Sequence, residues 1–277
     1  KYSFVPLAFG TLKAAFYAML ISVPLAIMAA IYTAQFMTTR MRRVVKPGIE
    51  IMEALPTVIL GFIAGLWLAP LVEHNLAGVF LLLIAIPGFI LGFGYLWQTR
   101  VPASLRHRFP EGWESILLIP VVVLCSWFIF SVVGPLFEHW FFSGSMSTWL
   151  REGLHIPYEQ RNAVIVGLAM GFAIIPTIFS IAEDALFAVP KHLIQGSLAL
   201  GATSWQTLSR VVLLTASPGI FSAVMIGFGR AIGETMIVLM ASGSTPITSL
   251  NPFEGMRPLS VNIATEMPES AEHSTHF

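Results

Sequence analysis

The sequence predicts an all-α, polytopic membrane helical bundle, and three observations predict it. Only 11% of the 277 residues are charged and the mean hydropathy is +0.78, against about 25% charged residues in a soluble domain. Several windows reach the roughly 20 mostly apolar residues that a helix needs to cross a bilayer core. Within each window the apolarity is unbroken, whereas the strands of a membrane barrel alternate polar and apolar positions over about ten residues.

The windows run from Phe9 to Phe36, Ile49 to Val72, Leu76 to Trp97, Ser115 to Phe137, Ala163 to Ile181 and Gly219 to Ser242. Pro24, Pro87, Pro120 and Pro176 lie inside spans, where proline frees a backbone carbonyl and bends the helix. Glycines recur four residues apart at Gly61 and Gly65, Gly88 and Gly92, Gly167 and Gly171, and Gly229 and Gly233. That spacing lets helix backbones approach closely, and the first three pairs read as packing contacts. Cys125 is the single cysteine, which excludes a disulfide or a cysteine-based metal site within the chain.

Charge sets the sidedness. The stretch TTRMRRVVK between the first two spans carries Arg40, Arg42, Arg43 and Lys46, and Arg100, Arg106 and Arg108 lie between the third and fourth. The positive-inside rule makes both loops cytoplasmic. Alternation then puts Glu183 to Thr215 inside. It puts His139 to Arg161 and the residues after Gly243 outside, where Glu138, Glu152, Glu159, Glu254, Glu266, Glu269 and Glu272 accumulate, and Glu73 lies in the short outer turn before them. The amino terminus is expected outside, in the periplasm. An earlier span is expected to be missing from a chain that starts at Lys1, since chains normally begin inside.

The inner segment EDALFAVPKHLIQGSLALGATSWQTLSRVVLLTASPG, Glu183 to Gly219, is longer than a connection needs. Leu193, Ile194, Leu198 and Leu200, then Trp205, Leu208, Val211 and Val212, recur at helical spacing. Two short amphipathic helices are expected, meeting at a glycine turn at Gly201, the second ending at Pro218. With only Lys191 and Arg210 as strong cations, the segment suits a soluble partner better than lipid headgroups.

The stretch GFGRAIGETM places Arg230 and Glu234 inside the apolar run of the sixth span. Each mid-membrane charge costs about 2.5 to 3.5 kcal/mol on insertion scales, and residues four apart on a helix face the same side. The two are therefore expected to reach one another, either as an ion pair holding helices together or as part of an anion path. A buried pair adds little stability over apolar residues. In the functional reading Arg230 faces the path and meets an oxyanion through its planar fork of donors. Glu234 holds Arg230 when the path is empty or accepts a hydrogen bond from protonated phosphate, which disfavours fully ionised sulfate. Thr235 donates further hydrogen bonds, and Gly227, Gly229 and Gly233 leave room for substrate or a partner helix. Glu50 and Glu53, at the start of the second span, read as structural. Glu183 and Asp184 are placed for gating pairs with Arg40, Arg42 or Arg43.

The run QGSLALGATSWQTLSRVVLLTASPGI resembles the EAA coupling loop of bacterial ABC importer permeases, and IGFGRAIGETMIVLMASG resembles the matching span of phosphate-specific permeases of the PstC and PstA type, PstC more closely. PLAFGTLKAAFYAMLISVPLAIMAAIY and IEIMEALPTVILGF resemble the start of the same domain. The resemblance covers most of the chain outside Glu73 to Arg161. Gln195, Gly196 and Ser197 stand at the EAA position, without its acidic residue, and Leu214 stands for the usual proline; Gly201 and Ala202 keep the pattern.

This resemblance implies a type I, MetI-like ABC importer permease fold. It implies one permease domain over 1–277, with an inserted helix pair at 76–137 and a cytoplasmic coupling loop at 183–215 that seats Gln195, Gly196, Ser197, Gly201 and Ala202 against an ATPase. It also implies a multi-pass protein of the bacterial inner membrane working with a dimer of cytoplasmic ATP-binding subunits, a second permease subunit and a periplasmic phosphate-binding protein. No GxxxxGK[ST] or HExxH motif is present, so the chain is expected to be a transport subunit rather than an enzyme. No cofactor of its own is expected, ATP being used by the partner, and its surroundings are lipid, not nucleic acid. The rival readings are a permease for sulfate or molybdate and an ion-coupled secondary transporter, in which Arg230 and Glu234 relay protons or ions. An intramembrane enzyme ranks third, because no His, Ser and Asp set converges within the spans.

Overall fold

The computed structural model describes residues 3–100, 113–142 and 144–266, so Arg106, Arg108, Glu269 and Glu272 lie outside the described residues. The first helix, α1 (Val5–Gln35), has a proline in its first turn and runs unbroken through Pro24. The arginine-rich stretch expected as a loop is helical. It forms the first half of α2 (Thr39–Glu53), which buries none of its residues.

The second span starts later than expected. Leu55 precedes Pro56, and a residue before proline is pushed out of helical geometry; Pro56 itself is extended, at φ −60° and ψ 124°. Helix α3 (Thr57–Ile63) begins there and continues through a π-helical turn at Ala64–Leu68 into α4 (Ala69–His74). Next come α5 (Leu76–Arg100), α6 (Trp113–Phe128), a π-helical turn at Ile129–Val133, α7 (Gly134–Phe141) and α8 (Met146–Glu152).

Asn162 caps α9 (Ala163–Phe187), its side-chain oxygen accepting from the Val164 and Ile165 amides at 3.0 and 3.2 Å. A cap of this kind contributes about 1 kcal/mol. Helix α10 (Lys191–Ala199) follows, then α11 (Ser204–Thr207), which passes through a π-helical turn at Leu208–Val212 into α12 (Leu213–Gly233). The chain ends its described course in α13 (Met236–Ala241) and α14 (Leu259–Glu266). Six helices are long and apolar enough to cross a membrane among the described residues, and the described residues hold no strand, only an isolated bridge between Gly243 and Met256. The fold is an all-α, polytopic membrane bundle.

Pro218 does not end the second helix of the inner segment; Ser204–Gly233 is one long span. Proline lacks the amide that would bond the carbonyl four residues back. Here that carbonyl, Leu214 O, accepts instead from the Ser217 hydroxyl at 2.8 Å, so the helix survives.

The chain divides into two compact units, Lys1–Ala69 with Glu159–Phe277, and Pro70–Tyr158. In the first, α9 is the central element, with Ile165, Met170, Ile174, Ile178 and Phe179 fully enclosed. Small residues at Ala14, Ala18, Ser22, Ala26 and Ala30 bury one face of α1. Facing them, a Cβ on Gly167 would lie 3.0 Å from Tyr17 Cβ and one on Gly171 3.2 Å from Ala18 O. Gly61 and Gly65 of the α3 span bear likewise on the backbone of Met236 and Met240, at 2.9 and 2.5 Å. In lipid such close van der Waals packing replaces the hydrophobic drive available in water.

In the second unit a Cβ on Gly134 would meet Gly78 Cα at 3.2 Å. Glu138 is buried, and its Oε1 accepts from the Ala77 amide in the first turn of α5 at 3.1 Å, a carboxylate placed where a helix has unbonded amides. Gly88 and Gly92 pack against no other described element, since none comes within 4 Å of a Cβ at either position.

Candidate functional site

Arg230 stands in the last turn of α12, in the first unit. The expected partnership with Glu234 is absent, and the reason is in the backbone. Helix α12 ends at Gly233, and Glu234 turns extended, at φ −69° and ψ 129°, so the four-residue helical geometry that would join the two charges does not exist. The Ser260 hydroxyl donates to the Glu234 carbonyl at 3.1 Å, satisfying one carbonyl that the break leaves free. The hydroxyl of Thr235, the residue before α13, donates to Gly233 O at 3.4 Å, and the Thr235 carbonyl accepts from the Leu239 amide at 2.9 Å.

Arg230 instead meets Glu53 and Thr177. Its Nη1 donates to Glu53 Oε1 at 2.6 Å and to Thr177 Oγ1, while Thr177 Oγ1 donates to the same Glu53 oxygen at 2.9 Å. Three elements supply the three groups: Glu53 is the last residue of α2, Thr177 directly follows Pro176 within α9, and Arg230 belongs to α12. The cluster is accessible, with Arg230 28% and Glu53 44% exposed. No described residue bonds Nε or Nη2 of Arg230. Gly233, three residues on, lies on the same side of α12 as Arg230, while Gly229 lies about 100° round the helix; outside the adjoining turns of α12 no described atom is within 4 Å of a Cβ at either. Gly227 differs, since its Cβ would fall 2.5 Å from Ile178 Cγ1. The geometry offers an oxyanion a fixed guanidinium with an unused edge of two donors, with open space at Gly233 one turn away.

Sequence reasoning missed Thr177 and read Glu53 as structural. The available signal was charge balance: an acid next to a span requires a cationic partner, and Arg230 is a cation within one.

A second cluster lies at the other end of α2. Glu183 is fully buried in α9; Arg42 Nε meets its Oε1 at 2.9 Å, and Lys46 Nζ meets its Oε2 at 2.7 Å and Asp184 Oδ1 at 3.0 Å. The Arg42 guanidinium also lies over the Phe187 ring, 3.3 Å from its centre. The hydrogen bond to Glu183 holds the Lys46 ammonium above the ordinary lysine value, against the desolvation that would lower it. Of the three arginines expected near Glu183 and Asp184, Arg42 forms an ion pair, with Glu183; no ion pair of Arg40 or Arg43 occurs among the described residues.

The third feature is the hairpin of α10 and α11. Gly201 has φ +86°, a backbone angle that a side chain resists, and Thr203 caps α11 in a reciprocal box with Gln206. The Gly201 amide donates to Leu198 O at 3.0 Å and the Ala202 amide to Ser197 O at 3.2 Å, while Ser197 Oγ and Thr207 Oγ1 share a hydrogen bond of 2.9 Å. Gln195 and Gly196 are exposed. So are the large apolar side chains of Leu193 and Leu198 and, most of all, Leu200 at 91% and Trp205 at 68%. No group of three or more metal-binding side chains occurs among the described residues.

No protein-family model matches the chain. Curated relatives do. The phosphate transport system permease protein PstC 1 of Mycobacterium tuberculosis is 24% identical over 277 residues, 100% of this chain and 64% of the relative. The probable ABC transporter permease protein YqgH of Bacillus subtilis is 27% identical over 267 residues, 96% of this chain and 61% of the relative. The phosphate transport system permease protein PstA 1 of M. tuberculosis is 36% identical over 115 residues, 40% of this chain and 37% of the relative. The chain spans 64% of the length of the PstC 1 relative. It is homologous to PstC- and PstA-type permeases and to related ABC-transporter permeases.

Proposed function

We propose that this chain is the membrane-spanning permease subunit of an ATP-driven phosphate importer in a bacterial inner membrane, with the type I importer fold. The observation that carries the reading is Arg230, held by Glu53 and Thr177 with Nε and Nη2 unbonded among the described residues, on a helix face where Gly233 leaves open space. A guanidinium stays charged when desolvated and matches two phosphate oxygens at once. Homology along the whole chain to PstC 1 supports phosphate over other anions.

In this reading Arg230, Glu234 and Thr235 belong to the substrate path, the last two lining it where α12 gives way to α13. The chain forms half of that path, and a second permease subunit forms the other half. A periplasmic phosphate-binding protein delivers the anion to the outer face. The hairpin, with Gln195, Gly196, Ser197, Gly201 and Ala202, seats in a cytoplasmic ATPase dimer, its exposed Leu200 and Trp205 supplying apolar contact. Because Ser204–Gly233 is one continuous helix, the hairpin is joined to Arg230 through a single element. The chain carries out no chemistry itself; ATP is hydrolysed in the partner.

Uptake of radiolabelled phosphate into vesicles holding the assembled transporter tests the proposal. ATP-dependent uptake that an ionophore spares and excess sulfate does not suppress is expected. Uptake that persists without ATP and collapses with the ionophore contradicts it and supports a secondary transporter, while equal competition by sulfate supports a general oxyanion permease.

A further inference from the structure

The contacts of Glu53 fall on one carboxylate oxygen. Oε1 accepts from Arg230 Nη1 and from Thr177 Oγ1, and no described residue bonds Oε2. Among the described residues Arg230 is engaged only through Nη1. The cluster therefore presents two kinds of unused group together, the donors Nε and Nη2 and the acceptor Oε2, on side chains 28% and 44% exposed.

We propose that Glu53 is a specificity-determining residue, which admits tetrahedral oxyanions that carry a proton at neutral pH, such as phosphate and arsenate, and rejects fully ionised ones such as sulfate. The inference rests on the reading of Arg230 as an anion site. Glu53 Oε2 accepts the hydroxyl of the protonated anion while the Arg230 guanidinium takes its bare oxygens. A fully ionised anion has no hydrogen to offer, so two acceptors face one another and the like charges repel. Sites that hydrogen-bond a substrate hydroxyl discriminate strongly against analogues lacking it. The position of Glu53 suits this task better than that of Glu234, which lies beyond the end of α12 and has no contact with the guanidinium among the described residues. Thr177 positions both partners, since its one hydroxyl donates to Glu53 and accepts from Arg230.

The selectivity of an importer also reflects its binding protein, so the test reads the site directly. Full-length protein in nanodiscs, with its associated subunits, is treated with phenylglyoxal, and modification of Arg230 is followed by mass spectrometry under increasing phosphate, arsenate or sulfate. In wild type, phosphate and arsenate are expected to protect Arg230 at concentrations at least about tenfold below those of sulfate. Glu53→Gln should close that gap, because an amide donates to a bare oxygen, and Glu53→Asp should keep it. Sulfate protecting wild-type Arg230 as well as phosphate does overturns the selectivity, whether or not the variants fold. An unchanged gap in Glu53→Gln overturns the role of Glu53. Absence of protection by every anion overturns the anion site itself.

Discussion

The Arg230 guanidinium and the Glu53 carboxylate, 177 residues apart in sequence, meet at 2.6 Å with Thr177 bonded to both. Removing one partner leaves a charge facing the bundle, whereas removing both does not. Glu53→Met is expected to lower stability by about 1 to 2 kcal/mol, a range set by the partial exposure of the pair. The Glu53→Met, Arg230→Met double variant should recover part of that loss. Thermal unfolding of the four proteins in nanodiscs closes the cycle; additive effects would show that the contact contributes no coupling.

The glycines around Arg230 differ in what they are for. A Cβ at Gly227 falls 2.5 Å from Ile178, whereas at Gly229 it meets nothing within 4 Å. Gly227→Ala is expected to cost about 1 to 3 kcal/mol by overpacking, and Gly229→Ala to leave the melting temperature nearly unchanged. Gly229→Leu should fold as well and still depress phosphate uptake, by placing bulk beside Arg230. A Gly227→Ala protein as stable as wild type would contradict the packing.

Glu183 is buried and faces two cations, Arg42 and Lys46. Glu183→Gln should destabilise the protein by about 1 to 3 kcal/mol, the loss of charge-assisted bonds to the part-buried Arg42 and Lys46. Lys46 supplies an independent readout. Its pKa is raised in the folded protein, mainly by the hydrogen bond to Glu183, so this contribution to stability is fully present below the ordinary lysine value and lost as pH rises through the folded one. Without Glu183 the neutral amine is populated at lower pH, and an amine-reactive reagent should label Lys46 faster at pH 9. Equal labelling rates would contradict the pairing.

At φ +86° Gly201 shapes the hairpin. Gly201→Val is expected to strain that turn by roughly 1 to 3 kcal/mol and to separate ATP hydrolysis from phosphate uptake in the assembled transporter. Wild-type values of both activities would remove the hairpin from the coupling path.

The helical class and the approximate positions of the spans were legible because hydropathy over twenty residues is a strong signal. The glycine turn at Gly201 was legible too, as were the packing roles of Gly61, Gly65, Gly167 and Gly171. The misses share a cause. Whether a proline breaks a helix depends on what takes the freed carbonyl. Pro56 ends an element, while Pro218 is bridged by Ser217, and periodicity does not distinguish the two. The α12 break at Gly233 lies inside an apolar run, so an unbroken helix was the natural reading, and it joined Arg230 to the wrong acid. Glu53 and Thr177 come from distant parts of the chain, and the packing of α9 with both α2 and α12 brings them to Arg230.

The account turns on Arg230, and phosphate uptake by the Arg230→Gln variant tests it most directly. With the variant purified as an intact complex whose ATPase still turns over, uptake is expected to fall to background. Uptake at the wild-type rate by that same complex would contradict the claim that this guanidinium receives the anion.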